Sequence, residues 1–177
     1  MRARVTFPFS RGFSLVEMIV TLVLVGILAV IGLPILSNSL RAYSATQEGL
    51  GTLTKLRYAT ERLAREIREV RRDPAVPTDY DIAIMTAAKF QFTKTDGVEV
   101  TLEAVPPALT LNYAPPVTPA PALTDQVKGF TFRYLQADGA TAATSKSDVA
   151  FVDITLTLTQ SGTDYAQRTR MGLRNKL

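Results

Sequence analysis

Residues 13–36, FSLVEMIVTLVLVGILAVIGLPIL, constrain this chain more than any other feature: 24 residues in which Glu17 is the single ionisable side chain. As a helix rising ~1.5 Å per residue the run reaches ~36 Å, enough to cross a hydrocarbon core of ~30 Å with some tilt. A carboxylate at the bilayer centre costs ~2.5–3.5 kcal/mol on insertion scales, and less near an interface. Glu17 therefore asks for a cationic partner, yet no lysine or arginine lies within the span. That partner has to come from a backbone amine, another subunit or the membrane interface.

What precedes the run sets its orientation. Residues 1–12, MRARVTFPFSRG, hold Arg2, Arg4 and Arg11 and no acid. A basic leader before an apolar stretch also opens a secretory signal peptide, but the hydrophobic part of such a signal is only ~7–15 residues long. No A-x-A site with a polar stretch behind it stands where a signal peptidase would need it, and the next basic residue is Arg41. By the positive-inside rule the N-terminus is expected in the cytoplasm, with the bulk of the chain beyond a single-pass helix.

The residues at this junction, Arg11-Gly12-Phe13-Ser14-Leu15-Val16-Glu17, resemble the prepilin signature of type IV pilins and type II secretion pseudopilins. In that family a short basic leader ends in glycine, phenylalanine usually follows, and glutamate is fifth in the mature chain. Gly12, Phe13 and Glu17 match all three, and Pro34 falls where many members kink the helix. The resemblance is strong over residues 1–40 and architectural beyond them. It implies that a membrane aspartic peptidase, the prepilin peptidase, cuts between Gly12 and Phe13 on the cytoplasmic side and methylates the new Phe13 amine. The chain would then be a substrate and not a catalyst. It further implies that Glu17 neutralises the Phe13 amine of an adjacent subunit as a filament assembles.

The residue types suit that chemistry. Gly12 offers a peptidase cleft no side chain at the cut. Glu17 lies four residues after Phe13, so the two share a helix face and pairing within one chain is also open. Pairing across subunits would favour correct axial register, since a mismatch leaves a charge bare in lipid. The bland alternative is an interfacial carboxylate without a partner. Pro34 removes a helical hydrogen bond and clashes with the preceding turn, which predicts a kink. Gly26 and Gly32 are six apart and form no GxxxG pair; they allow close helix approach or are ordinary membrane-helix glycines.

Composition excludes more than it selects. Removing the leader's three arginines from the 20 basic residues leaves 17 against 16 acidic ones, a nearly neutral remainder that does not by itself suggest nucleic acid. There is no cysteine and no histidine. Disulfides, thiolate chemistry and Ser-His-Asp or Cys-His nucleophile systems are thereby ruled out, and the commonest zinc ligand is missing. No cofactor is expected.

Beyond the apolar run, residues 37–73 turn polar while keeping a helical period. Leu53, Leu56, Leu63, Ile67 and Val70 recur at three- and four-residue steps, with Thr60 filling a gap. Glu61–Arg65, Arg62–Glu66 and Arg65–Glu69 are spaced as exposed i,i+4 pairs. The helix is predicted from Phe13 to about Arg72, ending before Asp73-Pro74. The remainder reads as strands: 90–93, the turn Thr95-Asp96-Gly97, 98–102, then 109–113, 129–135, a turn at Asp138-Gly139, 149–159 and 166–173. The expected fold is α+β, one long helix laid on an antiparallel sheet. It divides into a leader (1–12), a membrane helix (13–36), its amphipathic extension (37–73) and a β-rich extracytoplasmic head (74–177). Residues 106–121 hold six of the ten prolines and read as extended loop, a connector or a partner contact. The element order, with FRYLQADG ahead of two late strands and an ending near Arg-Asn, resembles the larger minor pseudopilins of the J type and minor pilins of MSHA-like systems.

Three further groups of residues are weaker candidates. Arg62, Arg65, Arg68, Arg71 and Arg72 form a basic run, but interleaved Glu61, Glu66 and Glu69 favour an ion-paired solvated face over DNA or lipid headgroups; DNA stays open as the lesser alternative. Asp79, Asp81, Asp138 and Asp148 lack EF-hand spacing and read as turn residues rather than a calcium site. Tyr43, Tyr58, Tyr134 and Tyr165 read as packing residues. The expected function is a structural minor subunit of a type IV pilus or type II secretion pseudopilus. Its expected partners are prepilin peptidase, sister pilins or pseudopilins, assembly platform proteins and inner-membrane lipid, with the head periplasmic before incorporation into the filament. The alternatives are a major pilin, or a membrane-anchored envelope enzyme or ligand-binding protein.

Overall fold

The apolar run and the amphipathic stripe behind it are one helix in the computed structural model, which describes residues 12–173. This helix, α1 (Leu15–Arg68), has 54 residues. The chain forms two compact units, Met1–Thr46 and Gln47–Leu177, and each part of α1 is taken with its own unit.

In the first unit every described residue is exposed. The helix is long and apolar enough to cross a membrane by length and composition. Its hydroxyls turn back onto its own carbonyls: Thr21 donates to Met18 O at 2.9 Å, Ser37 to Pro34 O at 3.0 Å and Ser39 to Ile35 O at 2.9 Å. Such back-bonding satisfies these polar side chains within the helix itself. Pro34 lies inside the helix.

In the second unit one face of α1 carries Leu56, Ala59, Thr60, Leu63, Ala64 and Ile67, all buried. Eight antiparallel strands follow. β1 (Ile82–Met85), β2 (Lys89–Thr93), β3 (Glu99–Val105), β4 (Ala108–Tyr113) and β5 (Ala122–Thr124) form a meander in chain order, and β6 (Val127–Leu135), β7 (Phe151–Gln160) and β8 (Thr163–Gly172) form a second. Alternation puts Phe90, Phe92, Val100, Leu102 and Leu109 from the first sheet, and Phe132, Val152, Ile154, Leu156 and Leu158 from the second, into one core with the helix stripe. The sheets are stitched where Phe132 N donates to Ala87 O at 2.8 Å and Tyr134 Oη to Thr86 O at 2.9 Å.

Several expectations need correction. The single sheet is two, the chain passing at residues 125–126 from the edge of one meander into the next. β1 and β5 were not foreseen: one lacks polar alternation, the other has three residues. The strand expected at 109–113, within the proline-rich residues 106–121, is β4 at 108–113. The helix stops at Arg68, ahead of Asp73-Pro74. There Glu69 N and Val70 N reach back only three residues, Val70 bridges to Lys94, and Arg71 N donates to Thr93 O at 3.0 Å, so the backbone is drawn to the sheet. Leu53, expected on the apolar stripe, is exposed.

Candidate functional site

The leader expected at residues 1–11 lies outside the described residues; Gly12, Phe13 and Glu17 lie within them. Ser14 is the last residue before α1, its Oγ accepting a hydrogen bond from Glu17 N at 3.2 Å while its carbonyl accepts Met18 N at 3.1 Å. Ser14-Leu15-Val16-Glu17 has the S-x-x-E spacing of a capping box, a signal present in the sequence to which sequence reasoning gave no role. The cap starts the helix two residues after the expected Phe13. It also sets Glu17 in the first turn, where a negative charge favours the helix dipole by ~0.3–1 kcal/mol.

Nothing in the described chain crowds these positions. Phe13 is 75% exposed, and a Cβ built on Gly12, Gly26 or Gly32 meets no atom within 4 Å. Glu17 has no ion-pair partner among the described residues. The start of α1 and the residues before it therefore present glycine, a bare aromatic and an acid within six residues, without packing from the described chain to account for them. Pro34 stands apart from this group, further along the helix.

A different carboxylate was misjudged. Glu66, placed on an exposed face by its i,i+4 spacing, is 3% exposed. Its Oε1 accepts Tyr113 Oη at 2.8 Å and Arg62 Nη2 at 2.9 Å, and Lys94 Nζ stands 3.4 Å from Oε2. Lys94 also reaches Glu69 at 2.8 Å, and that hydrogen bond, aided by both glutamates' charges, raises its pKa. The cluster ties the last turn of α1 to β4 and the β2–β3 turn. Lys94 and Tyr113 are distant in sequence, so local spacing could not reveal it. Neither expected Glu61–Arg65 nor Arg65–Glu69 pair forms; Glu61 takes Arg57 at 3.3 Å instead.

The weaker candidates disperse. Arg71 pairs with Asp81 at 2.7 Å, and Arg72 sits 4.3 Å over the Tyr80 ring. Asp138 caps its own turn, accepting Ala140 N and Thr141 N at 2.9 Å, and Asp148 accepts Ser147 Oγ at 3.2 Å. No cluster able to hold a metal ion occurs among the described residues. Tyr134 packs in an aromatic group with Phe90 and Phe132, while Tyr43 and Tyr58 are exposed.

Taken with the fold, a capped apolar helix whose later turns pack on antiparallel sheets defines a pilin-like α+β architecture. Residues 9–33 match the family described as the prokaryotic N-terminal methylation motif. The chain thus carries the signal of type IV prepilins and pseudopilins. No curated protein shows significant similarity to it. Motif and helix together fit an inner-membrane-anchored pilin that prepilin peptidase processes and that assembles with other pilins.

Proposed function

We propose that this chain is a structural minor subunit of a type IV pilus or type II secretion pseudopilus, with no reaction of its own. The observation that carries the proposal is the methylation motif lying on Gly12, Phe13 and Glu17 at the start of an apolar helix that is exposed throughout the first unit. On this reading residues 1–12 are a leader removed by prepilin peptidase, with the N-terminus cytoplasmic. Residues 13–36 span the inner membrane, residues 37–73 extend the helix, and residues 74–177 form the periplasmic head.

The absence of crowding supports the assignment. No described residue crowds Gly12, which suits a residue selected by an external cleft. Cleavage would free a cationic amine on Phe13, methylated in the family, one turn from Glu17. Docked beside a sister subunit, Glu17 then acquires the cation its own span lacks, and register is read by charge. Pro34, with Gly26 and Gly32 on either side of the preceding turns, gives the helix a place to bend as subunits pack. The six prolines of residues 106–121 favour a minor over a major subunit. Assembly platform proteins are the remaining partners; DNA is the lesser alternative.

The test is Glu17→Ala in cells that hold the peptidase and sister subunits. The variant should be inserted and processed normally but fail to co-purify with sister pilins. Recovery of sister subunits at wild-type yield refutes the assembly role. A change of Gly12 to Ala should leave the leader attached; normal processing of that variant refutes the cleavage site.

A further inference from the structure

The third strand of the second sheet has an open side. Leu173 N donates to Ala150 O at 2.9 Å in register with the β7–β8 pairs. Alternation of an antiparallel ladder then directs the N–H and C=O groups of Asp164, Ala166, Arg168, Arg170 and Gly172 away from β7. The same alternation, run through β6, accounts for Phe132 N leaving the sheet to reach Ala87 O. No backbone partner meets the outward groups of β8 among the described residues. β8 is thus ten residues of unpaired edge, a template for another strand unless something blunts it.

Both flanks of that edge are basic. On one side a groove of about 310 Å³ separates it from α1, with Thr60 and Ala64 on the floor and Gln167 and Thr169 on the β8 wall. Its helix rim carries Arg65 and Arg68, both exposed. The nearby acids are already taken: Glu61 by Arg57, Glu66 by Arg62 and Glu69 by Lys94. On the other side Arg168 and Arg170 share one carboxylate, Asp153, which is 1% exposed. Arg170 donates to it through Nε at 2.6 Å and Nη2 at 3.0 Å. Two cations held by one anion are pre-positioned and leave a positive charge over.

We propose that the β8 edge, bracketed by Arg65 and Arg68 on α1 and by Arg168 and Arg170 on the strand, is a docking site for an extended acidic segment of another protein chain. The segment adds as a further strand: backbone hydrogen bonds to the outward groups of Ala166, Arg168 and Arg170 hold it, and carboxylates on its two faces meet the two arginine pairs. The free edge favours a peptide over a nucleic acid, since phosphates would use the guanidiniums and leave the strand's amides idle. The proposal is independent of leader processing and of Glu17.

The probe is the fluorescent peptide Thr-Glu-Glu-Thr-Glu-Glu-Thr, which as a strand sets carboxylates on both faces. It is titrated by anisotropy onto the full chain in neutral detergent. Replacing its glutamates by glutamine, or making Arg65→Glu with Arg68→Glu, should each weaken binding by about ten-fold or more. Ala166→Pro deletes only an outward N–H, a change edge strands tolerate, and should abolish binding while thermal unfolding stays unchanged. Bound peptide should slow hydrogen exchange at Ala166, Arg168 and Arg170. The proposal is overturned if the peptide does not bind, if Ala166→Pro binds it as well as wild type, or if a single-stranded oligonucleotide displaces it and binds more tightly.

Discussion

The two parts of α1 share one backbone, yet they solve opposite problems. From Gln47 onward the helix finds its cover within its own chain: Leu56, Leu63 and Ile67 are at most 2% exposed. Before that point Leu24, Leu28 and Ile31 are each more than half exposed, and no described residue covers them. Their carboxylates differ in the same way. Glu66 is held by Arg62 and Tyr113, with Lys94 beside it, whereas Glu17 has no ion-pair partner among the described residues. One region is a folding unit. The other is an exposed apolar surface, as fits an inner-membrane-anchored pilin.

That contrast breaks first under large-to-small substitution. Leu63→Ala should destabilise the head by about 2–5 kcal/mol, through lost burial and a residual cavity. Leu24→Ala should leave the same unfolding transition of the full chain in detergent unmoved. Equal shifts from both would mean the two regions fold as one unit.

The head's charge network gives the next effect. The hydrogen bonds from Arg170 and then Arg168 hold the Asp153 carboxyl at about 2, below its ordinary 3.8. Because the folded-state value is depressed, this stabilisation is present above pH ~4 and lost as pH falls toward ~2. It amounts to roughly 1–2 kcal/mol, allowing for the partly exposed arginines. Asp153→Asn should lower stability at neutral pH and flatten that part of the pH profile. A slope unchanged by the substitution would show that other carboxylates produce it.

The smallest effect probes where α1 meets β8. A Cβ on Gly49 would lie 2.8 Å from Tyr165 Oη, so Gly49→Ala trades a helix-propensity gain of about 0.5–1 kcal/mol against that contact. In a Tyr165→Phe background the obstruction is gone, and Gly49→Ala should then stabilise. Destabilisation in both backgrounds would place the constraint elsewhere.

What could be read ahead of the structure follows the range of the interactions. The Asp96-Gly97 hairpin between β2 and β3 and the helix itself rest on local chemistry and were legible. So is the Ser161-Gly162 turn between β7 and β8, where φ is 50° and 81° as a two-residue hairpin prefers. The burial of Glu66 depends on residues far apart in sequence, Tyr113 and Lys94 above all, and the split into two sheets on which strands pair. The N-terminal constellation was legible for the opposite reason. Gly12, Phe13 and Glu17 sit within six residues and meet no packing from the described head, so their spacing alone carries the signal that matches the methylation motif.

The account rests on the chain being cut at Gly12–Phe13, and intact-mass spectrometry of the protein purified from native membranes tests this most directly. The predicted mass lacks residues 1–12 and gains one methyl group, with fragment ions placing it on the Phe13 amine. A native polypeptide that still begins at Met1 would contradict the account.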